Sequence, residues 1–483
     1  MHLSTFRLIR YFQLFVLNIA VLLFSSAHAN LPETLESNLN KLGIQDDCLA
    51  IVVMDADSKG KTWVMHNEKT MMNPASVMKL VTTYAALDIL GPNYTWHTAA
   101  FIDGEVKDNV LHGSLYIRGS GDPAMTTDRM RELLMQIRAA GIYHIQGDLL
   151  IDRSAHNTPT IDPGAFDGEP LRPYNVRPDS LLVNFKTIVF SFNPSLAKPG
   201  DRIPVMMSPP MTGVQHSLEV PVNNQRCGDW QKNLQADFSD PLNIRFNGHF
   251  PVSCGPKQWY VAYPDPQSHS LRTVSGLWQE LGGELKGRVS FGTVPTTAKL
   301  VAFTESKSLA EIVRDINKYS NNVMAQSVFL ALSLPEQKAF LRPAPIINPA
   351  TYEQSRIVIA QWWQNNFPHT TAPVMDNGSG LSRFESISAQ SLASMLQHAW
   401  NSPVMPEFIS SLPIASIDGT MRRSKTVASA HIKTGSIRNV TARAGYVLGS
   451  QAQRRIFVFM INSNKAHEVK EAIDILIDWS AEQ

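Results

Sequence analysis

Cysteine is scarce, with three in 483 residues. No cluster of Cys, His and acidic residues has metal-ligand spacing, so neither a metal nor another cofactor is expected, and His144 and His156 read as structural or surface residues. Charge of one sign is missing too: 43 Lys and Arg stand against 42 Asp and Glu, and there is no poly-basic run. A chain so balanced gives no electrostatic reason to expect nucleic acid or anionic lipid as a partner. After residue 30 there is no apolar run long enough to span a bilayer, and there is no low-complexity segment.

The one long apolar run is N-terminal. "MHLSTFRLIRYFQLFVLNIAVLLFSSAHAN" has Arg7 and Arg10 ahead of an apolar core, then Ala27-His28-Ala29, an A-x-A cleavage pattern. Gln13 and Asn18 interrupt the core and small residues end it. Residues 1–29 therefore read as a signal peptide cleaved after Ala29, against the alternative of a retained anchor. The mature chain is expected to be exported, with membrane association weak or absent. An exported chain meets oxidants, so Cys227 and Cys254, which flank a turn-rich segment, read as a disulfide or else as two small buried thiols. Cys48, beside "CLAIVVMDAD", reads as a buried apolar residue.

What remains is too long for one core. "LPETLESNLNKLG" reads as a helix, and "LAIVVMDADSKGKTWVMHN" as two strands about a polar turn. From Ser76 to Gly91-Pro92 apolar residues lie nearly all round a helix, which makes it a buried one. Residues 94–300 change texture to short β-rich stretches and Gly, Pro and Asn turns, one or two inserted modules. Helices return at "SLAEIVRDINKY" and "EQSRIVIAQWWQNN". They are followed by two strands, "HIKTGSIRNVTARAGYVLG" and "RRIFVFMIN", and a closing amphipathic helix. The organisation is an α/β domain split into residues 30–93 and 301–483 around the insertion.

Three short motifs stand out: Ser76-Val77-Met78-Lys79, Ser320-Asn321-Asn322 and Lys433-Thr434-Gly435. Such a set marks penicillin-reactive serine enzymes. Each alone is weak, since S-x-x-K recurs at Ser58–Lys61 and Ser195–Lys198, and S-x-N at Ser191–Asn193. Only Ser76 opens a buried helix. By itself it would serve equally as a helix cap. With Lys79 one turn on, it is a nucleophile whose base is desolvated and so deprotonated more easily. Ser320 and Asn322 suit a proton relay and a contact to a substrate amide carbonyl. Lys433-Thr434-Gly435 suits an edge strand that pairs with an extended substrate, the lysine meeting a carboxylate and the glycine permitting close approach. Ser436 N–H and Ser76 N–H are the expected oxyanion donors.

The chain resembles the serine penicillin-binding proteins, in particular the D-alanyl-D-alanine carboxypeptidase/endopeptidase group of the penicillin-binding protein 4 type, serine peptidase family S13. "MNPASVMKLVTTYAAL", "IRGSGDP", "GDLLIDRSAH", "RPYNVRPDSLLVNF", "INKYSNNVMAQ", "NGSGLSR", "IDGTMRRS" and "HIKTGSIRNVTARAGYV" are similar to family segments in the same order. The long gap between Ser76 and Ser320 is similar to that of this group and unlike the compact class A β-lactamases.

The resemblance implies a β-lactamase/transpeptidase-like domain, an antiparallel sheet with flanking helices, interrupted by β-rich domains. It implies periplasmic cleavage of D-Ala-D-Ala ends or D-Ala–diaminopimelate cross-links through an acyl-enzyme on Ser76. Peptidoglycan stem peptides and β-lactam antibiotics would be the partners. It offers Asp152 and Arg383 as readers of the cross-linking residue's free end. The stretch "LIDRSAHNTPTIDPGAFDGEP" is longer than the compact family version, and Arg153 has no evident role. Two other readings stand beside it. A β-lactamase or esterase on the same fold lacks a clear E-x-x-L-N-like element, and a non-catalytic peptidoglycan scaffold fits poorly with an intact Ser76 and Lys79. The carboxypeptidase–endopeptidase balance, the identity of the cross-linking residue, the role of the inserted domains and the oligomeric state stay open.

Overall fold

A computed structural model describes residues 31–57 and 59–483. The signal-peptide reading of residues 1–29 lies outside the described residues. Among those described, no helix is long and apolar enough to cross a membrane.

The split domain is built on a five-stranded antiparallel sheet. Its strands are β1 (Leu49–Asp55), β2 (Thr62–His66), β3 (Ala430–Ile437), β4 (Val440–Leu448) and β5 (Arg454–Asn462), in the order β2-β1-β5-β4-β3. The two chain segments meet in register where Leu49 faces Ile461 and Asp55 faces Arg455. Side chains alternate between two cores. Leu49, Ile51, Val53, Phe457, Phe459 and Ile461 pack on one face against α1 (Glu33–Leu42) and the C-terminal helix (Lys470–Glu482). Ala50, Val52, Ile456, Val458 and Met460 face the opposite core, with α2 (Lys79–Leu90), α3 (Leu309–Tyr319) and α4 (Asn322–Ala331). A sheet covered on both faces explains why "LAIVV" and "IFVFMI" are unbroken apolar runs.

Two readings are corrected. The segment "HIKTGSIRNVTARAGYVLG" is not one strand but the β3–β4 hairpin. Ile437 pairs with Val440 across Arg438-Asn439, and Asn439 takes φ 65°, a left-handed value that asparagine tolerates. The helix expected from Ser76 begins as a 3₁₀ turn, Ala75–Met78, with α-helix only from Lys79. Ser76 makes no capping bond. Asn73 does that work: its Oδ1 accepts the Ala75 N–H at 2.9 Å.

The inserted region forms two β modules. In the first, His97–Lys107 pairs with Val110–Gly119, and the returning strand Lys299–Glu305 runs antiparallel beside His97–Ile102, so the pairing continues past residue 300. Leu149–Asp152 lies parallel to both Leu115–Arg118 and Val289–Phe291. The second module is a five-stranded sheet around Phe190, Phe192 and Phe250, and the Cys227–Cys254 disulfide lies within it. Cys48 is only partly buried, at the end of a 3₁₀ turn. His144 and His156 are both partly buried: His144 lies beside Glu284 at 3.1 Å, and the buried ring nitrogens of His156 have their pKa pushed down to about 4 by desolvation.

Candidate active site

The three motifs converge on a cleft of about 540 Å³ between the split domain and the insert. One wall is the 3₁₀ turn carrying Ser76. Edge strand β3 lies so close to it that a Cβ on Gly435 would sit 2.4 Å from Pro74 O and 3.1 Å from Ser76 N. On the other side a Cβ on Gly380 would sit 2.0 Å from Ala75 O. Glycine at both places lets two segments clamp the nucleophile's backbone.

Lys79 is fully buried at the start of α2. Its Nζ lies 3.0 Å from Ser76 Oγ and 2.6 Å from Asn322 Oδ1, and it donates to the Ser379 carbonyl. Burial pushes its pKa down to about 7, against the opposite pull of Glu385. A neutral amine has two N–H bonds and one lone pair. The oxygens of Asn322 and Ser379 can only accept, so they take both N–H bonds and leave the lone pair to face the Ser76 hydroxyl. This is base geometry.

Ser320-Asn321-Asn322 is a helix–helix corner. Ser320 ends α3 in a left-handed conformation, φ 58°, and the Asn321 side chain caps α4 by accepting from Met324 N–H. Asn322, first in α4, spans the site: Oδ1 takes Lys79, and Nδ2 donates to Tyr174 O in the insert at 3.0 Å. Lys433 is also fully buried, and its Nζ donates to Ser320 Oγ at 2.9 Å and to Thr434 O at 2.8 Å. Burial, then the charges of Lys79 and Arg443, push its pKa well below the usual lysine value. The Thr434 hydroxyl donates to Thr420 Oγ1 at 2.8 Å. Ser436 lines the cleft and is exposed.

Arg383 lies in the cleft, over the Phe166 ring at 4.7 Å, with Nη1 donating to Arg438 O at 3.0 Å. Asp152 does not reach the cleft. It ends an interior strand of the insert, 1% exposed, paired with Arg118 at 2.8 Å and accepting from Ser154 N–H and Val294 N–H. The sequence-based role for Asp152 is therefore withdrawn. Arg153, which had no evident role, pairs with Asp179 at 2.9 Å. The insert's acidic residue in the cleft is Asp167, beside Phe166. Burial pushes its pKa up, but hydrogen bonds from Asn175 and Tyr174 outweigh that and hold it below the usual value. The Asp-Gly turn within "GAFDGEP" was the available signal. Asp152→Ala leaves Arg118 buried without its carboxylate, so a loss of roughly 3–5 kcal/mol is expected in denaturant unfolding. The protein that remains folded should react with penicillin at the wild-type rate.

The model of the D-Ala-D-Ala carboxypeptidase 3 (S13) family matches residues 31–483. The chain belongs to that family. It is 23% identical over 403 residues to D-alanyl-D-alanine carboxypeptidase DacB of Haemophilus influenzae, covering 82% of each chain. It is also 23% identical over 448 residues to a D-alanyl-D-alanine carboxypeptidase of Actinomadura sp. strain R39, covering 88% of this chain and 79% of the other. The crystal structure of the Haemophilus influenzae penicillin binding protein 4 shares its fold. The TM-score is 0.72 at 20% identity, over 92% of this chain and 99% of that one. That protein is also solved in complex with a novel β-lactam, at TM-score 0.69 and 20% identity over 94% and 100% of the two chains. The S13 member described here is accordingly a serine DD-peptidase on a β-lactamase/transpeptidase-like fold.

Proposed function

We propose that this DD-peptidase works by acyl transfer on Ser76, with Lys79 as its base. The supporting observation is the Lys79 amine, 3.0 Å from Ser76 Oγ with both N–H bonds engaged elsewhere. The lone pair takes the hydroxyl proton as Oγ attacks the carbonyl carbon of the penultimate D-alanine. The N–H groups of Ser76 and Ser436 receive the oxyanion. Ser320, held by Lys433, passes a proton to the leaving amine, D-alanine departs, and water then hydrolyses the ester. Lys433, Thr434 and Gly435 line the strand that holds the substrate's terminal carboxylate. A carboxylate beside Lys433 favours its charged form and offsets the repulsion from Lys79 and Arg443.

The substrate is the peptidoglycan stem peptide, and penicillins acylate the same serine. D-Ala–diaminopimelate cross-links are cleaved by the same steps. There Asp167 and Arg383 supply one charge of each sign to the ammonium and carboxylate at the free end of the diaminopimelate side chain. The enzyme acts in the periplasm, after the N-terminal segment directs export and is removed at Ala29.

The test is mass spectrometry of stem peptides after digestion of purified sacculi. Pentapeptides should lose D-alanine, and D-Ala–diaminopimelate dimers should become monomers. Rapid turnover of penicillin with intact stem peptides would contradict the reading and favour a β-lactamase.

A further inference from the structure

Glu385 is a buried carboxyl, 1% exposed, that this scheme leaves without a task. It follows the cleft residue Arg383 by two positions. Its Oε1 accepts three successive backbone N–H groups, from Asp376 at 3.1 Å, Asn377 at 3.1 Å and Gly378 at 3.0 Å. Its Oε2 is buried with no hydrogen-bond partner among the described residues. Leaving half a carboxyl unsatisfied in the interior is costly, so its presence asks for a reason beyond packing.

The loop it grips reaches Lys79. Val374 and Ser386 close the base with backbone hydrogen bonds of 2.8 and 3.0 Å. Gly378 and Gly380, each at φ +76°, bend the apex. The Gly378 carbonyl accepts the Thr82 hydroxyl at 2.7 Å, and the next carbonyl, that of Ser379, accepts Lys79 Nζ. Asn377 Oδ1 holds Ser379 from inside, accepting its N–H at 3.0 Å and its hydroxyl at 2.6 Å.

We propose that Glu385 is a positioning residue for acylation: by gathering the N–H groups of residues 376–378 it aims the Ser379 carbonyl at Lys79 Nζ, and so fixes where the amine's lone pair points. The inference rests on the reading of Lys79 as the base of Ser76. Without the acceptor, three N–H groups lose their partner and the loop shifts to find another. The Ser379 carbonyl then leaves Lys79. A freed amine can turn an N–H toward Ser76 Oγ, which places a donor where the lone pair must be. The requirement is for an acceptor oxygen, which an amide supplies as well as a carboxylate.

The experiment measures acylation of the mature protein by benzylpenicillin, separating the encounter dissociation constant from the acylation rate constant. Acylation of the wild type comes first, and its absence would count against the Ser76–Lys79 reading before any variant is compared. Glu385→Ala should acylate about 100-fold more slowly with the encounter constant unchanged, and Glu385→Gln should stay within about tenfold of wild type. Wild-type acylation by Glu385→Ala overturns the proposal, as does a Gln variant no better than Ala. Should Glu385→Ala not fold, Asn377→Ala takes its place, since it releases Ser379 while leaving Glu385. A lost acylation rate with an unchanged encounter constant supports the proposal, and a wild-type rate contradicts it.

Discussion

Lys79→Met lowers the rate of acylation by penicillin by about 10²- to 10⁴-fold, the range a positioned general base supplies. Ser76 and the two acceptors that held the amine, Asn322 Oδ1 and the Ser379 carbonyl, remain, but nothing is left to take the hydroxyl proton. The variant is expected to fold. Removing the amine leaves Asn322 Oδ1 and the Ser379 carbonyl without their donor, yet it also removes the desolvation cost of a buried lysine. The same residue sets the pH dependence. Only neutral Lys79 has a lone pair, and burial has brought its pKa down to about 7. Wild-type acylation should therefore fall as pH drops through that value, by about tenfold per unit, and level off above it. Rates taken from quenched samples between about pH 5 and 9 check both the sign and the midpoint. A rate that is flat through neutral pH would assign the proton to another group.

Gly380→Ala has the second large effect, and it acts through backbone. The position has φ +76°, where an added Cβ strains the chain, and that Cβ would lie 2.0 Å from Ala75 O and 2.7 Å from Ser76 Cα. No flexible side-chain end is available to yield; the turn carrying the nucleophile must move. Strain of this kind costs about 1–3 kcal/mol. A shift of roughly 1 Å at the nucleophile is worth about 100-fold in rate. The expected result is a lower melting temperature together with acylation slowed by about that factor. Gly282→Ala serves as the control. It also has positive φ, +75°, but a Cβ there meets nothing within 4 Å, so stability falls while acylation holds.

The parts of this molecule that sequence makes legible are those set by local pattern. Apolar runs marked β1 and β5 as strands, though not that both faces of their sheet are covered, and the apolar girth of α2 marked a buried helix behind Ser76. The order of the three motifs brought out Ser76, Lys79, Ser320, Asn322 and Lys433, side chains that the fold gathers around one cleft. Other features depend on partners distant in the chain. Asp152 resembled a polar strand end, and its neutralisation by Arg118 follows from the parallel pairing of Arg118 with Asp152, which no local signal announces. The 3₁₀ turn at Ser76 arises where Gly380 and Gly435 press on its backbone from two sides. The β3–β4 turn hides because Arg438-Asn439 contains no glycine and apolar residues continue on either side. Ser379 was invisible as a site residue because it acts through its carbonyl, which every residue has.

The most direct measurement is intact-mass spectrometry of the purified protein after incubation with benzylpenicillin, for wild type and Ser76→Ala side by side. The expected result is one penicillin added to the wild type, persisting for minutes, and none on Ser76→Ala. A wild type that stays unmodified, or an adduct of equal extent on Ser76→Ala, would contradict the assignment of the nucleophile.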